Sequence, residues 1–276
     1  SDQPTFDVTE AGTYRLTVTG ANGCPNTSDP VVITVDPLPV VSIASLADEY
    51  CTSDASVALA GSPSGGIFRI LQNGAPVVTS ATVFNPGSLG AGNYVVEYTY
   101  SDDNSCTSTT TKAVTVKQQP TVTLTDNLDI CFGESTTLTA SGADTYIWSP
   151  ATGLSASTGS SVTANPTTTT TYTVIGTTNG CQSEPKTVTV TVNSLPDVSI
   201  ALRGPSQFCP ESYTDIVAVY NAAYTYQWFR LNSNGTSTAV ASKVGAPNEY
   251  QATQTGSYYV RITTDMGCVS TSETVA

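Results

Sequence analysis

The chain has 276 residues, of which 39% are hydrophobic and 11% charged, with a formal net charge of −13 and no His. This hydrophobic content supports folded cores, whereas the acidic balance repels phosphate backbones and excludes nucleic acid as an expected partner. The absence of His removes the commonest general base and zinc ligand, and no apolar run is long enough for a membrane-spanning helix within this chain. Ser, Thr, Asn and Gly supply most of the polarity, and residues that favour exposed helix faces are scarce, so the sequence predicts an all-β protein.

Four segments repeat one phrase along the chain. Each contains a Gly-x-Tyr motif, then an alternating strand, then a cysteine that we call the hairpin cysteine. The phrases begin at Gly12, Gly92, Thr170 and Gly256, and the third has Thr in place of Gly. An apolar strand follows each phrase, and residues 187–192 alternate with the period of two that is typical of a half-buried strand.

A second phrase opens three of these units with a cysteine that we call the opening cysteine. The opening cysteines are Cys51, Cys131 and Cys209, about 80 residues apart, and Pro-containing joints separate the units. The predicted domains are therefore 38–117, 118–193 and 194–276, and residues 1–37 are predicted to be the C-terminal half of an earlier domain.

An aromatic residue follows each opening cysteine by 17 to 19 residues. Together with Gly-x-Tyr near the sixth strand, this pattern resembles an immunoglobulin-like (Ig-like) β-sandwich. We therefore expect tandem Ig-like β-sandwich domains in an extended array, with the three aromatics in the cores: Phe68, Trp148 and Trp228. The tyrosines of the phrase resemble the tyrosine corner, in which the hydroxyl bonds to backbone: Tyr14, Tyr94, Tyr172 and Tyr258.

The seven cysteines form no Cys-x-x-Cys pair, which excludes the usual zinc and thioredoxin motifs. Widely spaced cysteines in an acidic β protein indicate disulfides, an oxidising compartment and an extracellular, cell-surface location. The simplest pairing lies within each domain: Cys51 with Cys106, Cys131 with Cys181, and Cys209 with Cys268. In a standard sandwich, however, the turn before strand B and the hairpin after strand F lie at opposite poles, and this alternative would place Cys51 near Cys181 and Cys131 near Cys268. Cys24 is expected to be unpaired by truncation, with its partner upstream of residue 1.

Several longer phrases of the third domain are distinctive. They include Cys-x-Gly-Glu-Ser-x-x-Leu-Thr-Ala at 131–140, Tyr-x-Trp-Ser-Pro-Ala-Thr-Gly-Leu at 146–154 and Asn-Gly-Cys at 179–181. They resemble the Ig-like and PKD-like repeats of very large cell-surface proteins of the Bacteroidota. The resemblance implies export by type IX secretion and a place in gliding-motility adhesins or surface fibres.

Acidic residues are the remaining site candidates. Paired carboxylates can hydrolyse glycosides, but the pairs Asp102-Asp103 and Asp48-Glu49 lie in turn-like sequence, so we do not expect an enzyme. Calcium is the one cofactor considered, with weak candidate ligands that turn chemistry alone would also explain: Asp102, Asp103, Asp126 and Asp129.

The sequence therefore favours a structural repeat segment of a large extracellular adhesin, stalk or filament, linked to gliding motility or attachment. The expected partners are neighbouring domains of the same chain, other copies in a fibre through strand edges, and surface glycans. The alternative is a set of spacer or carbohydrate-binding modules appended to a secreted enzyme. It draws on residues 194–276, which hold 10 of the 22 aromatic residues.

Overall fold

A computed structural model describes residues 5–276, and these residues form two compact units that divide between Gln119 and Pro120. The all-β class is confirmed, because short strands in antiparallel and parallel ladders make up the units. Each sheet draws its strands from one of the predicted domain ranges. The limits of those domains stay a prediction. Among the described residues, no helix has the length and apolarity that crossing a membrane requires.

The first unit begins with two small strand pairs. These are β1 (Gly12–Tyr14) with β4 (Val31–Ile33), and β2 (Thr17–Thr19) with β3 (Pro25–Thr27).

A larger sandwich completes the first unit. Its elements are β5 (Ser42–Ala44), β6 (Glu49–Cys51), β7 (Val57–Ala58), β8 (Ala60–Ser62), β9 (Ile67–Gln72), β10 (Ala75–Ala81), β11 (Val83–Phe84), α1 (Pro86–Leu89), β12 (Gly92–Ser101) and β13 (Thr107–Lys117). The main sheet has the order β10-β9-β12-β13-β6, and β5-β8 and β7-β11 form two short pairs.

The second unit contains two sandwiches. The elements of the first are β14 (Thr123–Leu124), β15 (Leu128–Cys131), β16 (Thr136–Ser141), β17 (Thr145–Ser149), β18 (Ser161–Ala164), β19 (Thr170–Thr178), β20 (Cys181–Gln182) and β21 (Lys186–Asn193). Those of the second are β22 (Ile200–Arg203), β23 (Thr214–Ala218), β24 (Thr225–Leu231), β25 (Ser237–Val240), β26 (Glu249–Ala252), β27 (Ser257–Thr263) and β28 (Val269–Thr271). Their sheets run β14-β16-β18 and β15-β21-β19-β17, then β22-β23-β26 and β25-β24-β27-β28.

The predicted aromatic residues lie in the cores, as expected. Trp148 and Trp228 are 1% and 0% exposed, and Phe68 packs against Tyr98 with ring centroids 4.5 Å apart. The indole N–H of Trp148 donates to the carbonyl of Gly159 at 2.9 Å, so the buried ring leaves no polar atom without a partner. The spacing after the opening cysteine therefore identified the core aromatic residues of β9, β17 and β24 correctly.

The tyrosine corner is present in three of the four phrases. The hydroxyls of Tyr14 and Tyr258 each donate to the carbonyl four residues upstream, at 3.0 and 2.8 Å. That of Tyr94 donates to the carbonyl of Leu89, five residues upstream, at 2.5 Å, with the Gly90 carbonyl at 3.2 Å.

Tyr172 is the exception, because its hydroxyl donates to Thr152, 20 residues upstream. Thr170, which replaces the glycine of the phrase, donates to the carbonyl of Thr168 at 2.7 Å. In this repeat the carbonyl four residues upstream of the tyrosine therefore accepts from Thr170 and not from the tyrosine hydroxyl.

A parallel strand pair places the opening cysteines. Strand β15 runs parallel to the end of β21, with Cys131 opposite Asn193, and β6 runs parallel to the end of β13, with Cys51 opposite Lys117. Cys51 and Cys131 therefore lie at the pole where the chain leaves each sandwich. The hairpins that carry the other cysteines precede β13 and β21 and lie at the opposite pole.

Candidate functional site: an inter-repeat disulfide

A disulfide joins Cys131 to Cys268 across the two sandwiches of the second unit. The two cysteines are 137 residues apart in sequence, and their Cα atoms are 5.5 Å apart. The bond links the opening cysteine of repeat 118–193 to the hairpin cysteine of repeat 194–276. This is the pairing suggested by the positions of the two poles, and we call it the inter-repeat disulfide.

The simpler pairing within domains is wrong. Cys268 bonds Cys131 and not Cys209. Cys131 therefore does not bond Cys181. Cys106 and Cys209 are free thiols, so Cys51 does not pair with Cys106, and Cys24 is a third free thiol. Cys51 and Cys181 are each in disulfide form.

Strand length explains why a bond within one repeat cannot form. Cys106 precedes β13, whereas Cys51 lies opposite Lys117 at the far end of that strand. An eleven-residue strand spans roughly 34 Å. The Cα atoms of a disulfide are no more than about 7 Å apart. The two cysteines of one repeat are therefore held at opposite poles by the sheet itself.

The Cys131 half of the bond is fixed by a turn at the end of β15. The Cys131 N–H donates to Glu134 Oε2 at 3.1 Å, and the Glu134 N–H donates back to the Cys131 carbonyl at 2.9 Å. The next residue, Phe132, donates its N–H to the carbonyl of Asn193 at 2.9 Å. These bonds tie the opening cysteine to the last residue of β21.

The Cys268 half of the bond is fixed by a tight hairpin between β27 and β28. The Thr264 N–H donates to the Cys268 carbonyl at 2.9 Å, and the Gly267 N–H donates to the Thr264 carbonyl at 3.0 Å. Gly267 has φ +84°, a left-handed conformation that glycine adopts without strain. Cys268 is fully buried, and its Sγ lies 4.0 Å from the carbonyl oxygen of Asn193. The hairpin thus covers the joint between the repeats.

The carboxylates considered for catalysis stabilise local structure. Asp102 Oδ1 accepts hydrogen bonds from the N–H groups of Asn104 and Cys106, both at 2.9 Å. Asp48 and Glu49 form ion pairs with Lys112 at 3.0 Å and Lys117 at 2.7 Å, along the parallel pair β6-β13. These contacts place the acidic pairs in a turn and at a sheet edge.

The weak calcium candidates are Asp102, Asp103, Asp126 and Asp129. Asn127, between the last two, uses its Oδ1 to accept from the N–H of Thr189 at 2.8 Å. Within residues 5–276, no three His, Cys, Asp or Glu side chains are grouped so that they could hold a metal ion. Calcium binding stays a prediction.

The aromatic residues of repeat 194–276 do not form a row on one surface. Phe229 and Tyr259 stack on each other with ring centroids 5.0 Å apart, so each ring covers one face of the other. Tyr213 and Tyr220 are 54% and 61% exposed and flank β23 at its two ends, roughly 23 Å apart along a strand. Glycan binding through stacked sugar rings stays a prediction.

Comparison with known proteins supports the Ig-like assignment. The family model described as "Ig-like domain CHU_C associated" matches residues 118–194. No curated protein matches the chain.

Three solved structures show a weak likeness. A Ca2+-stabilized adhesin that helps an Antarctic bacterium reach out and bind ice is 15% identical, with 94% of this chain and 79% of that chain covered and a TM-score of 0.33. Immunoglobulin domains 1–5 of Sidekick-1 are 12% identical, with 95% and 65% covered and a TM-score of 0.30. The Ig1-2 module of the Drosophila receptor protein tyrosine phosphatase DLAR is 10% identical, with 55% and 98% covered and a TM-score of 0.25. Scores of this size support no conclusion about function. The family match and the sheet topology show that the chain contains Ig-like repeats.

Proposed function

We propose that this chain is a structural, non-enzymatic segment of an extracellular surface adhesin, stalk or filament, which holds an attached module away from the cell under tension. The resemblance to Bacteroidota surface repeats supports type IX export and a link to gliding motility or attachment. The observation that carries the proposal is the inter-repeat disulfide, because it adds a second covalent connection at a joint between two sandwiches.

The position of this bond determines how tension passes through the second unit. The disulfide closes a covalent loop that contains the residues between Cys131 and Cys268. Because the disulfide is the shorter path, force applied before Cys131 passes directly to Cys268 and does not extend the loop. The bond excludes 137 residues of chain from extension, which corresponds to roughly 450–490 Å of contour length. While the bond is intact, unfolding of either sandwich cannot lengthen the segment by more than a small fraction of this value.

Single-molecule pulling of the full chain tests this role, with handles attached at Gln119 and Ala276. The oxidised chain should yield little extension between the handles. The Cys131→Ser, Cys268→Ser double variant should release roughly 450–490 Å more than the oxidised chain. Equal release from both chains would contradict the tension-bearing role.

Location is tested by immunogold electron microscopy of intact source cells with antibody raised against this chain. Labelled threads that project from the surface would support the stalk or filament. Label confined to the medium or to a polymer substrate would contradict it and favour modules appended to a secreted enzyme.

A further inference from the structure

Two of the free thiols lie in turns that match those of the two bonded cysteines of the second unit, although Cys209, unlike Cys131, does not end a strand. Cys106 is a hairpin cysteine like Cys268, and Cys209 is an opening cysteine like Cys131. The similarity extends to individual hydrogen bonds.

The Cys106 hairpin matches the Cys268 hairpin. The Asp102 N–H donates to the Cys106 carbonyl at 3.1 Å, and the Ser105 N–H donates to the Asp102 carbonyl at 3.0 Å. The corresponding bonds at Cys268 measure 2.9 and 3.0 Å. In each hairpin the residue before the cysteine has positive φ, +64° at Ser105 and +84° at Gly267. The residue four positions before the cysteine caps its N–H, through Asp102 Oδ1 in one case and Thr264 Oγ1 in the other.

The repeat before Cys106 has a position that corresponds to Asn193. Tyr14 lies opposite Val31, and Tyr172 lies opposite Val188. Asp36 comes five residues after Val31, and Asn193 comes five residues after Val188. The two residues therefore occupy equivalent positions in repeats 1–37 and 118–193. Asn193 is the residue beside Cys268 and opposite Cys131.

Electrostatics agrees with this placement. The pKa of the Cys106 thiol is raised by burial first, then by the charges of Asp102 and Asp36. Asp36 thus contributes to the raised pKa of the Cys106 thiol from the position that corresponds to Asn193.

Cys209 repeats the turn of Cys131. The Ser212 N–H donates to the Cys209 carbonyl at 3.0 Å, just as the Glu134 N–H donates to the Cys131 carbonyl at 2.9 Å. The exposed thiol of Cys209 is accessible to a partner.

We propose that Cys106 and Cys209 are the two open halves of further inter-repeat disulfides. Cys106 bonds the opening cysteine of the Ig-like repeat before it, and Cys209 bonds the hairpin cysteine of an Ig-like repeat after it. The hairpin of Cys24 has the same two backbone hydrogen bonds, at 3.1 and 2.9 Å. Cys24 therefore bonds the opening cysteine of the repeat before its own, as Cys106 does. This inference rests on the proposed tandem-repeat role.

Each bond forms by thiol–disulfide exchange with an oxidised dithiol oxidoreductase. One thiolate attacks the carrier disulfide to give a mixed disulfide, and the second thiolate then displaces the carrier. The two thiols lose two protons and two electrons, and the carrier leaves as a dithiol.

The test is peptide mapping of the protein isolated from its source cells. Free thiols are alkylated, the protein is digested without reduction, and linked peptides are identified by mass spectrometry. We expect Cys106 and Cys209 to escape alkylation and to be linked to two different cysteine peptides from outside residues 1–276. Electrophoresis without reductant should show a single chain, which distinguishes a repeat of the same polypeptide from a separate subunit.

Three results would overturn the inference: alkylation of Cys106 and Cys209, a direct Cys106–Cys209 link, or a link to a separate subunit. The Cys131–Cys268 peptide pair in the same digest is the internal control for preserved disulfides. If the thiols are free while the antibody still labels surface threads, this inference fails and the proposed function stands.

Discussion

Removing the inter-repeat disulfide should strongly destabilise the second unit. In the chain-entropy model, a cross-link that closes a loop of 137 residues removes about 17 cal/mol/K from the unfolded ensemble, or about 5 kcal/mol at 25 °C. The double variant Cys131→Ser, Cys268→Ser should lose about this much unfolding free energy. Cys209→Ser is the matched control, because it removes an exposed thiol that forms no bond in this chain.

Urea unfolding monitored by tryptophan fluorescence measures the effect in each repeat separately. Trp148 reports on repeat 118–193 and Trp228 on repeat 194–276, since both are buried. The reporters are separated by placing each substitution in Trp148→Phe and Trp228→Phe backgrounds. With an m-value of about 2 kcal/mol/M, the loss corresponds to a midpoint lower by about 2.5 M urea.

Both tryptophan reporters should respond to the loss of the disulfide. Because the loop encloses most of both sandwiches, the two midpoints should fall together, while Cys209→Ser shifts neither. Midpoints that agree within about 0.3 M between wild type and double variant would refute the loop-entropy argument. A shift confined to Trp228 would also refute it, because it would show that the loss is local to the Cys268 hairpin.

Three further predictions concern the core, the Cys106 hairpin and a tyrosine corner. Trp148→Ala should lower the unfolding free energy by about 3–5 kcal/mol in urea unfolding. The matched substitution of its exposed strand neighbour, Ile147→Ala, should change the unfolding free energy by no more than about 0.5 kcal/mol. Equal losses would contradict the core assignment. Asp102→Asn keeps an oxygen that can cap the hairpin but removes a charge that raises the pKa of Cys106. Iodoacetamide should therefore alkylate Cys106 roughly two- to fivefold faster in this variant at pH 8. An unchanged rate would count against the electrostatic cause. Tyr258→Phe should cost about 1 kcal/mol at pH 8 through the lost bond to Gln254. Burial raises the pKa of Tyr258. The stability that the neutral hydroxyl contributes is therefore complete below the ordinary phenol pKa of about 10 and is lost as pH rises through the pKa of the folded state. The free-energy cost of Tyr258→Phe in urea unfolding should therefore be smaller at pH 11 than at pH 8.

The parts of the fold that the sequence predicted depend on local signals. Side chains alternate between the two faces of a strand, and this places Trp148 of β17 and Trp228 of β24 on the buried face. The tyrosine corner also follows from short-range geometry, since the acceptor lies four residues upstream of Tyr14 and Tyr258. Tyr172 departs from the rule, since its hydroxyl donates to Thr152 while the carbonyl of Thr168 accepts from Thr170, in the one phrase that has Thr in place of glycine.

The sequence left two disulfide pairings open, and the strand pairing of the fold decides between them. Both cysteines of a repeat could be identified from the sequence, but their separation depends on a parallel pairing between residues more than 60 positions apart, such as Leu128 with Val190. That pairing sets Cys131 at the exit pole, and the length of β21 sets Cys181 at the entry pole. Likewise, Asp102 looked like a metal ligand by residue type, whereas its Oδ1 caps the hairpin backbone of Cys106.

The offset of the bond by one repeat has a consequence that a bond within a repeat would not have. A bond within repeat 118–193 would stabilise that sandwich but leave Asn193 and the residues after it as a single-chain joint. The inter-repeat disulfide uses the same number of cysteines, and it sets Cys268 Sγ 4.0 Å from the Asn193 carbonyl at that joint. Bending at the joint would move the Cys268 hairpin away from Asn193. The disulfide between Cys268 and Cys131 opposes this movement. The two sandwiches are therefore coupled in both orientation and extension by one pair of cysteines.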